Sequence, residues 1–227
     1  GSFGKEDLIE DNNYQATVKV AEACSKTNTR LISLSSTSVY GTQNEMVAED
    51  CALNDLKPQS PYANTKLKEE QFIAHRCVDS DLQAISCRFG TIFGASPGMR
   101  FHTAVNKFCW QAVMGQPITV WSTAYDQKRP YLDIFDAARA ITFIIRKDLF
   151  DGRIYNVLSR NATVRHVIEN IREFVPDAQI SFVESTIMNQ LSYEVSCQRF
   201  MDAGFIFAGD LRRGIGDTIN LLQRANN

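Results

Sequence analysis

Two short segments combine hydroxyl, phenol and ammonium groups at spacings that suit proton transfer. The first runs from residue 35 to residue 41, and the second contains Tyr62 and Lys66. Because these two residues are four positions apart, a helix places both side chains on one face. A lysine ammonium close to a phenol favours the phenolate. The pattern therefore predicts an acid/base tyrosine acting on a hydroxyl group, with Lys66 as its partner.

The elements around these segments predict where the chemistry takes place. Ser60 and Pro61 are typical of a helix N-cap and first helical position, and the helix is predicted to continue to about Val78. Residues 30–36 are an apolar run ending in hydroxyl residues, which indicates a buried strand. Ligands of open α/β sheets bind at the carboxyl ends of strands. We therefore expect the hydroxyls at residues 35–36 to lie beside a sugar or alcohol that undergoes hydride transfer.

Predicted helices and strands alternate along the rest of the chain. We predict helices at 6–27, 103–115, 136–146, 163–174, 197–203 and 210–225, and strands at 82–89, 118–121, 131–134, 154–158 and 180–183. Asp136 and Thr163 are the predicted caps of two of these helices. This alternation is typical of an α/β fold with a parallel sheet.

Composition excludes several classes of protein. The 227 residues carry 24 Lys and Arg against 26 Asp and Glu, so no basic surface for nucleic acid is expected. A hydrophobic fraction of 44% argues against a disordered chain. No apolar run is long enough to span a membrane, and no signal peptide is recognised. The 6 cysteines lack metal-ligand spacing, so we expect no metal site and reduced thiols in a cytoplasmic protein.

Several ordered motifs together resemble the extended short-chain dehydrogenase/reductase family of nucleotide-sugar epimerases and dehydratases. The motifs are Ser-Ser-x-x-Val-Tyr-Gly at 35–41, Ser-Pro-Tyr-x-x-x-Lys at 60–66, Arg-Phe-Gly-Thr-Ile-Phe-Gly at 88–94, Arg-Pro-Tyr-Leu-Asp-Ile-Phe-Asp at 129–136 and Tyr-Asn-Val at 155–157. The resemblance implies part of a Rossmann-type doubly wound parallel sheet, in residues 1–92 and 126–158. It also implies a smaller α/β substrate-binding domain, in residues 93–125 and 159–227.

The resemblance assigns roles to individual residues. Ser36 matches the family's catalytic hydroxyl, Tyr62 its acid/base tyrosine and Lys66 the lysine that binds the nicotinamide ribose. Ser35 and Phe89 are expected to join Tyr62 and Lys66 in the cofactor site. The expected substrate contacts are Ser36, Thr37, Thr91, Arg100 and Arg129. Of these, Arg129 matches the arginine that contacts the substrate diphosphate, and Arg100 is a second phosphate candidate.

Departures from the family pattern limit the reactions that are expected. The family's dehydratases carry an Asp-Glu pair directly after the catalytic hydroxyl, where this chain has Thr37 and Ser38. Elimination of water is therefore not expected. The resemblance implies an NAD(P)-dependent nucleotide-sugar 4-epimerase that binds a nucleotide-diphosphate sugar. A ketone reductase using the same residues and a catalytically inactive binding protein stay open as alternatives. The galactose-epimerase branch often has Asn at the place of Thr91, so the sugar is left open.

The family's glycine-rich phosphate loop is not recognised in these residues. Gly214 and Gly216 come nearest to its glycine spacing, but they fall inside a predicted helix and follow no strand. By family comparison, about three βα units, including this loop, are absent from these residues, and both a fragment of a longer protein and a truncated gene product stay open. NAD is the expected cofactor, and NADP stays open because the residue that selects between them belongs to that part of the fold. The resemblance also implies a homodimer formed through helices 6–27 and 61–78.

Overall fold

Helices and strands alternate along the computed structural model, which describes Leu8, residues 10–184 and residues 192–226. The helices are α1 (Gln15–Thr27), α2 (Pro61–Asp79), α3 (Ala104–Val113), α4 (Ile134–Lys147), α5 (Val164–Phe174), α6 (Gln198–Asp202) and α7 (Leu211–Asn226). The strands are β1 (Leu31–Ser36), β2 (Ala84–Phe89), β3 (Thr91–Phe93), β4 (Ile118–Trp121), β5 (Lys128–Asp133), β6 (Ile154–Val157), β7 (Arg160–Thr163) and β8 (Ile180–Val183). The expected α/β fold is confirmed.

The first sheet has the order β1-β2-β6, and all its strands are parallel. Every residue of the central strand β2 is buried, because helices cover both faces of the sheet. Ala84 packs with residues of α1 and α2, whereas Ile85 and Cys87 pack with residues of α4. This two-sided cover is the doubly wound arrangement that the sequence predicts.

Two smaller sheets and a second apolar core form beside the first sheet. Strand β5 pairs in parallel with β3 and antiparallel with β7, and β4 pairs in parallel with β8. The second core gathers apolar side chains of α3, α5 and α7 around those of β4. The division of the chain into a cofactor domain and a substrate domain stays a prediction.

The start of α2 is built as the sequence predicts. Ser60 has extended backbone angles, and its side chain accepts a hydrogen bond of 3.1 Å from the amide of Ala63. Pro61 occupies the first turn, where its missing N–H costs nothing. Tyr62 and Lys66 therefore lie in the first two turns of a well-capped helix.

Other predicted boundaries are corrected. The cap of α4 is Asp133, which accepts from the amide of Phe135 at 2.9 Å, and the predicted cap Asp136 lies inside the helix. In place of the first turns of the predicted helix 6–27, residues Glu10–Tyr14 form a π-helical turn, and residues 6, 7 and 9 lie outside the described part. Strands β3 and β7 were not predicted, because each is short and exists by pairing with β5.

Gly214 and Gly216 serve helix packing, which confirms that they form no phosphate loop. Both lie within α7. A Cβ atom at Gly214 would come within 2.6 Å of the Phe93 ring, and one at Gly216 within 2.7 Å of the Phe174 ring. None of the described helices is long and apolar enough to cross a bilayer.

Candidate active site

A cavity of about 1290 Å³ opens where β1 and β2 end, and every predicted site residue lines it. These residues are Ser35, Ser36, Thr37, Tyr62, Lys66, Phe89, Thr91, Arg100 and Arg129. The volume is large enough for a nucleotide-sized ligand. The structure thus brings the predicted residues together, and their individual roles stay predictions.

Tyr62 and Lys66 face the cavity from the N-terminal end of α2. The Lys66 ammonium lies 5.9 Å from the centroid of the Tyr62 ring. Tyr62 is 39% exposed, so a ligand can reach its ring and hydroxyl. The helix N-terminus adds positive potential at the same place, which favours a negatively charged ligand.

Ser36 is held in a conformation that leaves its own proton free. Its Oγ accepts a hydrogen bond of 3.2 Å from the amide of Ser38 and another of 2.9 Å from the hydroxyl of Ser38. A hydroxyl that accepts twice still has one O–H to donate. Ser36 can therefore donate to an oxygen atom in the cavity, and Ser38 is a supporting residue that sequence reasoning missed.

Arg88 and Glu70 form a buried ion pair directly behind these residues. The Arg88 Nη2 atom lies 2.6 Å from Glu70 Oε2, and the two side chains are 2% and 1% exposed. Ser35 donates its hydroxyl to Glu70, and the Arg88 guanidinium lies over the Tyr40 ring at 4.7 Å. Burial opposes the charge of Arg88, but the hydrogen bonds and charge of Glu70 raise its pKa above the ordinary value. This buried network, which links Ser35, Tyr40, Glu70 and Arg88, ties β1, α2 and β2 together.

Tyr193 is a second lining residue that the sequence did not reveal. Its hydroxyl lies 3.3 Å from Thr37 Oγ1, across a separation of 156 residues. Burial raises the pKa of Tyr193, so its hydroxyl stays protonated at neutral pH. No local pattern marks this tyrosine, because the long-range fold alone brings it to the cavity.

The charges that line the cavity favour an anionic ligand. Lys66, Arg100 and Arg129 contribute cations, and Glu69 is the one acid among the described lining residues. The Nε atom of Arg129 is buried and has no hydrogen-bond partner within the described part of the chain. A guanidinium with a free N–H donor in a cavity suits a phosphate group, which can accept two parallel hydrogen bonds from it.

Glu69 and Glu70 are further site residues that were missed, although the sequence carries a signal for them. They follow Lys66 at the i+3 and i+4 positions, which lie on the same helix face as Lys66. Acids at those positions of an exposed helix are ordinary surface residues. The structure instead shows both to be buried.

The fold and this arrangement of residues agree with one known protein family. The chain belongs to the NAD-dependent epimerase/dehydratase family, whose family model matches residues 2–157. The expected resemblance to the extended short-chain dehydrogenases/reductases is confirmed.

Individual relatives agree with that family. An uncharacterized UDP-glucose epimerase, YtcB, of Bacillus subtilis (strain 168) is 28% identical over 166 residues, which are 71% of this chain and 50% of the relative. The chloroplastic UDP-sulfoquinovose synthase of Spinacia oleracea is 26% identical over 186 residues, covering 69% of this chain and 38% of the relative. The chain thus spans about half the length, or less, of these two curated relatives.

A solved structure supports the fold over the whole chain. The UDP-glucuronic acid 4-epimerase of Bacillus cereus, crystallised with NAD, superposes with a TM-score of 0.87 at 20% identity. The match covers 100% of this chain and 72% of that protein. At this identity the likeness concerns the fold.

Proposed function

We propose that the protein is an NAD-dependent nucleotide-sugar epimerase of the 4-epimerase type. One observation carries the proposal: Ser36, Tyr62 and Lys66 line the same cavity as Arg129, whose buried Nε has no hydrogen-bond partner among the described residues. The first three can handle the proton of a sugar hydroxyl, and the guanidinium can hold a diphosphate. Membership of the epimerase/dehydratase family supports the same reaction class.

The residues present fit the nicotinamide end of a dinucleotide. The Lys66 ammonium faces a cavity wide enough for a ribose, next to Tyr62 and to Phe89 at the end of β2. Lys66 would hold the ribose hydroxyls, and the phenyl ring of Phe89 would pack beside the nicotinamide. When bound, NAD would supply reversible hydride transfer at the sugar carbon.

Tyr62 and Ser36 would handle the proton of the reacting hydroxyl. Tyr62 as phenolate would remove the proton from the sugar hydroxyl as its carbon is oxidised to a ketone. Ser36 would donate a hydrogen bond to the oxygen of that ketone. Once the bound sugar has turned its other face, hydride would return to the same carbon and Tyr62 would return the proton to the oxygen, which gives the epimer with no net gain or loss of electrons.

The proposed substrate is a nucleotide-diphosphate sugar. Arg129 and Arg100 would contact its phosphates, and Thr37 and Thr91 would contact the sugar. Two relatives are named for UDP-linked compounds, a UDP-glucose epimerase and a UDP-sulfoquinovose synthase, which supports a uridine nucleotide. Thr37 and Ser38 carry no carboxylate, which favours epimerisation over dehydration.

Nucleotide release followed by a substrate screen tests the proposal. The intact protein, as its source makes it, is denatured, and released NAD is identified by mass spectrometry. UDP-, GDP- and dTDP-sugars are then followed by proton NMR for the 4-epimer, with Tyr62→Phe as the inactive reference. A reductase would instead consume reduced nicotinamide in proportion to product. If no nucleotide is released and no substrate is converted, the proposal that the protein is an enzyme is wrong.

The proposal extends to assembly and location. Exposed apolar side chains on α1 and α2, including Val20 and Val78, support a homodimer formed through these helices. Light scattering tests this, because a monomeric wild type would contradict it. All six cysteines are free thiols, which supports a reducing compartment such as the cytoplasm.

A further inference from the structure

Glu69 is a buried acid in direct contact with the proposed ribose-binding lysine. Its Oε2 atom lies 2.9 Å from Lys66 Nζ, and it lines the same cavity. The Glu69 side chain is 3% exposed and that of Lys66 is 17% exposed. This pair therefore differs from the solvent-exposed i,i+3 pairs of ordinary helices, which contribute little.

Lys66 is the main group that stabilises the negative charge of the buried Glu69 carboxylate. Within the described residues, Lys66 is the hydrogen-bond partner of Glu69, and the second carboxylate oxygen, Oε1, is buried without one. A carboxylate in such a position is costly unless a cation stays beside it. The charge of Glu69 therefore restrains the Lys66 ammonium to one place.

The geometry of an ammonium group shows what this restraint achieves. Lysine carries three N–H donors and no acceptor. One donor is directed to Glu69, so the other two are oriented away from the carboxylate. A ribose offers two neighbouring hydroxyls that can accept two such hydrogen bonds.

We propose that Glu69 is a positioning residue that fixes the Lys66 ammonium so that its two remaining donors meet the hydroxyls of a ribose. The inference rests on the proposed function, which supplies a ribose-bearing nucleotide. It predicts that the charge of Glu69 controls cofactor affinity through Lys66, without Glu69 touching the reacting atoms.

The first test compares nucleotide binding by Glu69→Gln and wild type. Glutamine keeps the length of the side chain and removes its charge. We expect the dissociation constant of NAD, measured by titration calorimetry on the intact protein, to rise about tenfold or more, since hydrogen bonds to charged groups are among the stronger ones. The KM for the sugar nucleotide should stay within about twofold, because its phosphate contacts are untouched.

Two further variants separate positioning from a general structural role. Asp79→Asn makes the same acid-to-amide change at an exposed site near the C-terminal end of α2 and should leave NAD affinity unchanged. Glu69→Asp keeps the charge and should restore part of the affinity that Glu69→Gln loses. Equal NAD affinity in wild type and Glu69→Gln would overturn the inference.

A melting cycle tests the pair without using activity. Lys66→Met leaves Glu69 buried without its cation, whereas Lys66→Met/Glu69→Gln removes both charges. We expect the single variant to melt about 5 °C or more below wild type, and the double variant to recover at least half of that loss. Equal melting temperatures for the single and double variants would show that the charges are not coupled and would overturn the inference.

The outcomes distinguish this inference from the proposed function. A wild type that binds no nicotinamide nucleotide overturns the proposed function, and the cofactor role of Glu69 with it. A wild type that binds NAD while Glu69→Gln binds it equally well overturns the role of Glu69 alone.

Discussion

On the α2 side of the cavity, buried polar interactions hold the functional residues, whereas the loop of residues 94–103 is held differently. Behind Tyr62 and Lys66 lie the buried Arg88–Glu70 pair and the hydrogen bond from Ser35 to Glu70. The loop has no buried ion pair among the described residues: it is held by turn hydrogen bonds within itself, by one neutral hydrogen bond from the Gly94 amide to Asn106 Oδ1, and by apolar contacts. The Phe101 ring, for example, lies 6.4 Å from Trp110.

Because its two sides are held differently, one cavity can combine fixed chemistry with adaptable recognition. Proton transfer requires a phenol and a hydroxyl placed within a few tenths of an ångström, and rigid elements provide that placement. Arg100 and His102 project from a loop, where sequence and conformation vary at lower cost. We therefore expect substitutions on the α2 side to affect stability or turnover, and substitutions in the loop to affect substrate affinity.

Breaking the buried Arg88–Glu70 ion pair should cause the greatest loss of folding stability. Arg88→Met removes the cation that compensates Glu70 and should lower the free energy of unfolding by about 3–5 kcal/mol. Urea denaturation followed by circular dichroism measures this loss. Arg100→Met makes the same replacement in the exposed loop and should change stability by about 0.5 kcal/mol or less. Equal losses in the two variants would contradict the contrast between the two sides.

The next effect concerns turnover alone. Tyr62→Phe removes the proposed acid/base hydroxyl and should reduce kcat by about 10²–10⁴-fold. Because Tyr62 is 39% exposed, the melting temperature of the variant should stay close to that of wild type. Initial rates of epimer formation and a thermal melt check both statements. Turnover within tenfold of wild type would exclude Tyr62 as the acid/base group.

An intermediate effect is expected for the strand-borne arginine. Arg129→Met should raise the KM of the nucleotide sugar by about 10–100-fold, because a charge-assisted contact to phosphate is lost. Its folding stability should hardly change, since its buried Nε has no partner among the described residues. Lys128→Met, at the adjacent exposed position, is the matched control. A similar rise in KM for both variants would indicate general electrostatic attraction in place of a specific contact.

Local spacing explains which parts of the site could be predicted. Tyr62 and Lys66 meet because one helix carries both, and the Ser60 cap fixes where that helix begins. The hydroxyl of Ser36 lies at a strand end, which the apolar run before it already marks. Each of these placements depends on a few neighbouring residues.

The parts that escaped prediction depend on distant contacts. Tyr193 reaches Thr37 only through the complete fold, and the predicted helix cap, Asp136, lies inside α4. Tertiary contacts explain why that prediction is wrong, because Ser159 and the amide of Gly209 donate to Asp136 in the interior. Asp133 is left to cap the helix.

The last and smallest change in rate is expected from a residue that orients the Ser36 hydroxyl. Ser38→Ala removes one of the two hydrogen bonds that orient the Ser36 hydroxyl, at 2.9 Å, and keeps the one from the backbone amide. Because a single neutral hydrogen bond contributes about 1 kcal/mol, kcat should fall by roughly twofold to tenfold, with NAD affinity unchanged. Ser38→Thr keeps the hydroxyl and should retain most of the rate, and Ser122→Ala, in an exposed turn, is the control. A normal kcat in Ser38→Ala would mean that the backbone amide alone orients Ser36, so that the precision of this side comes from the backbone of the strand end.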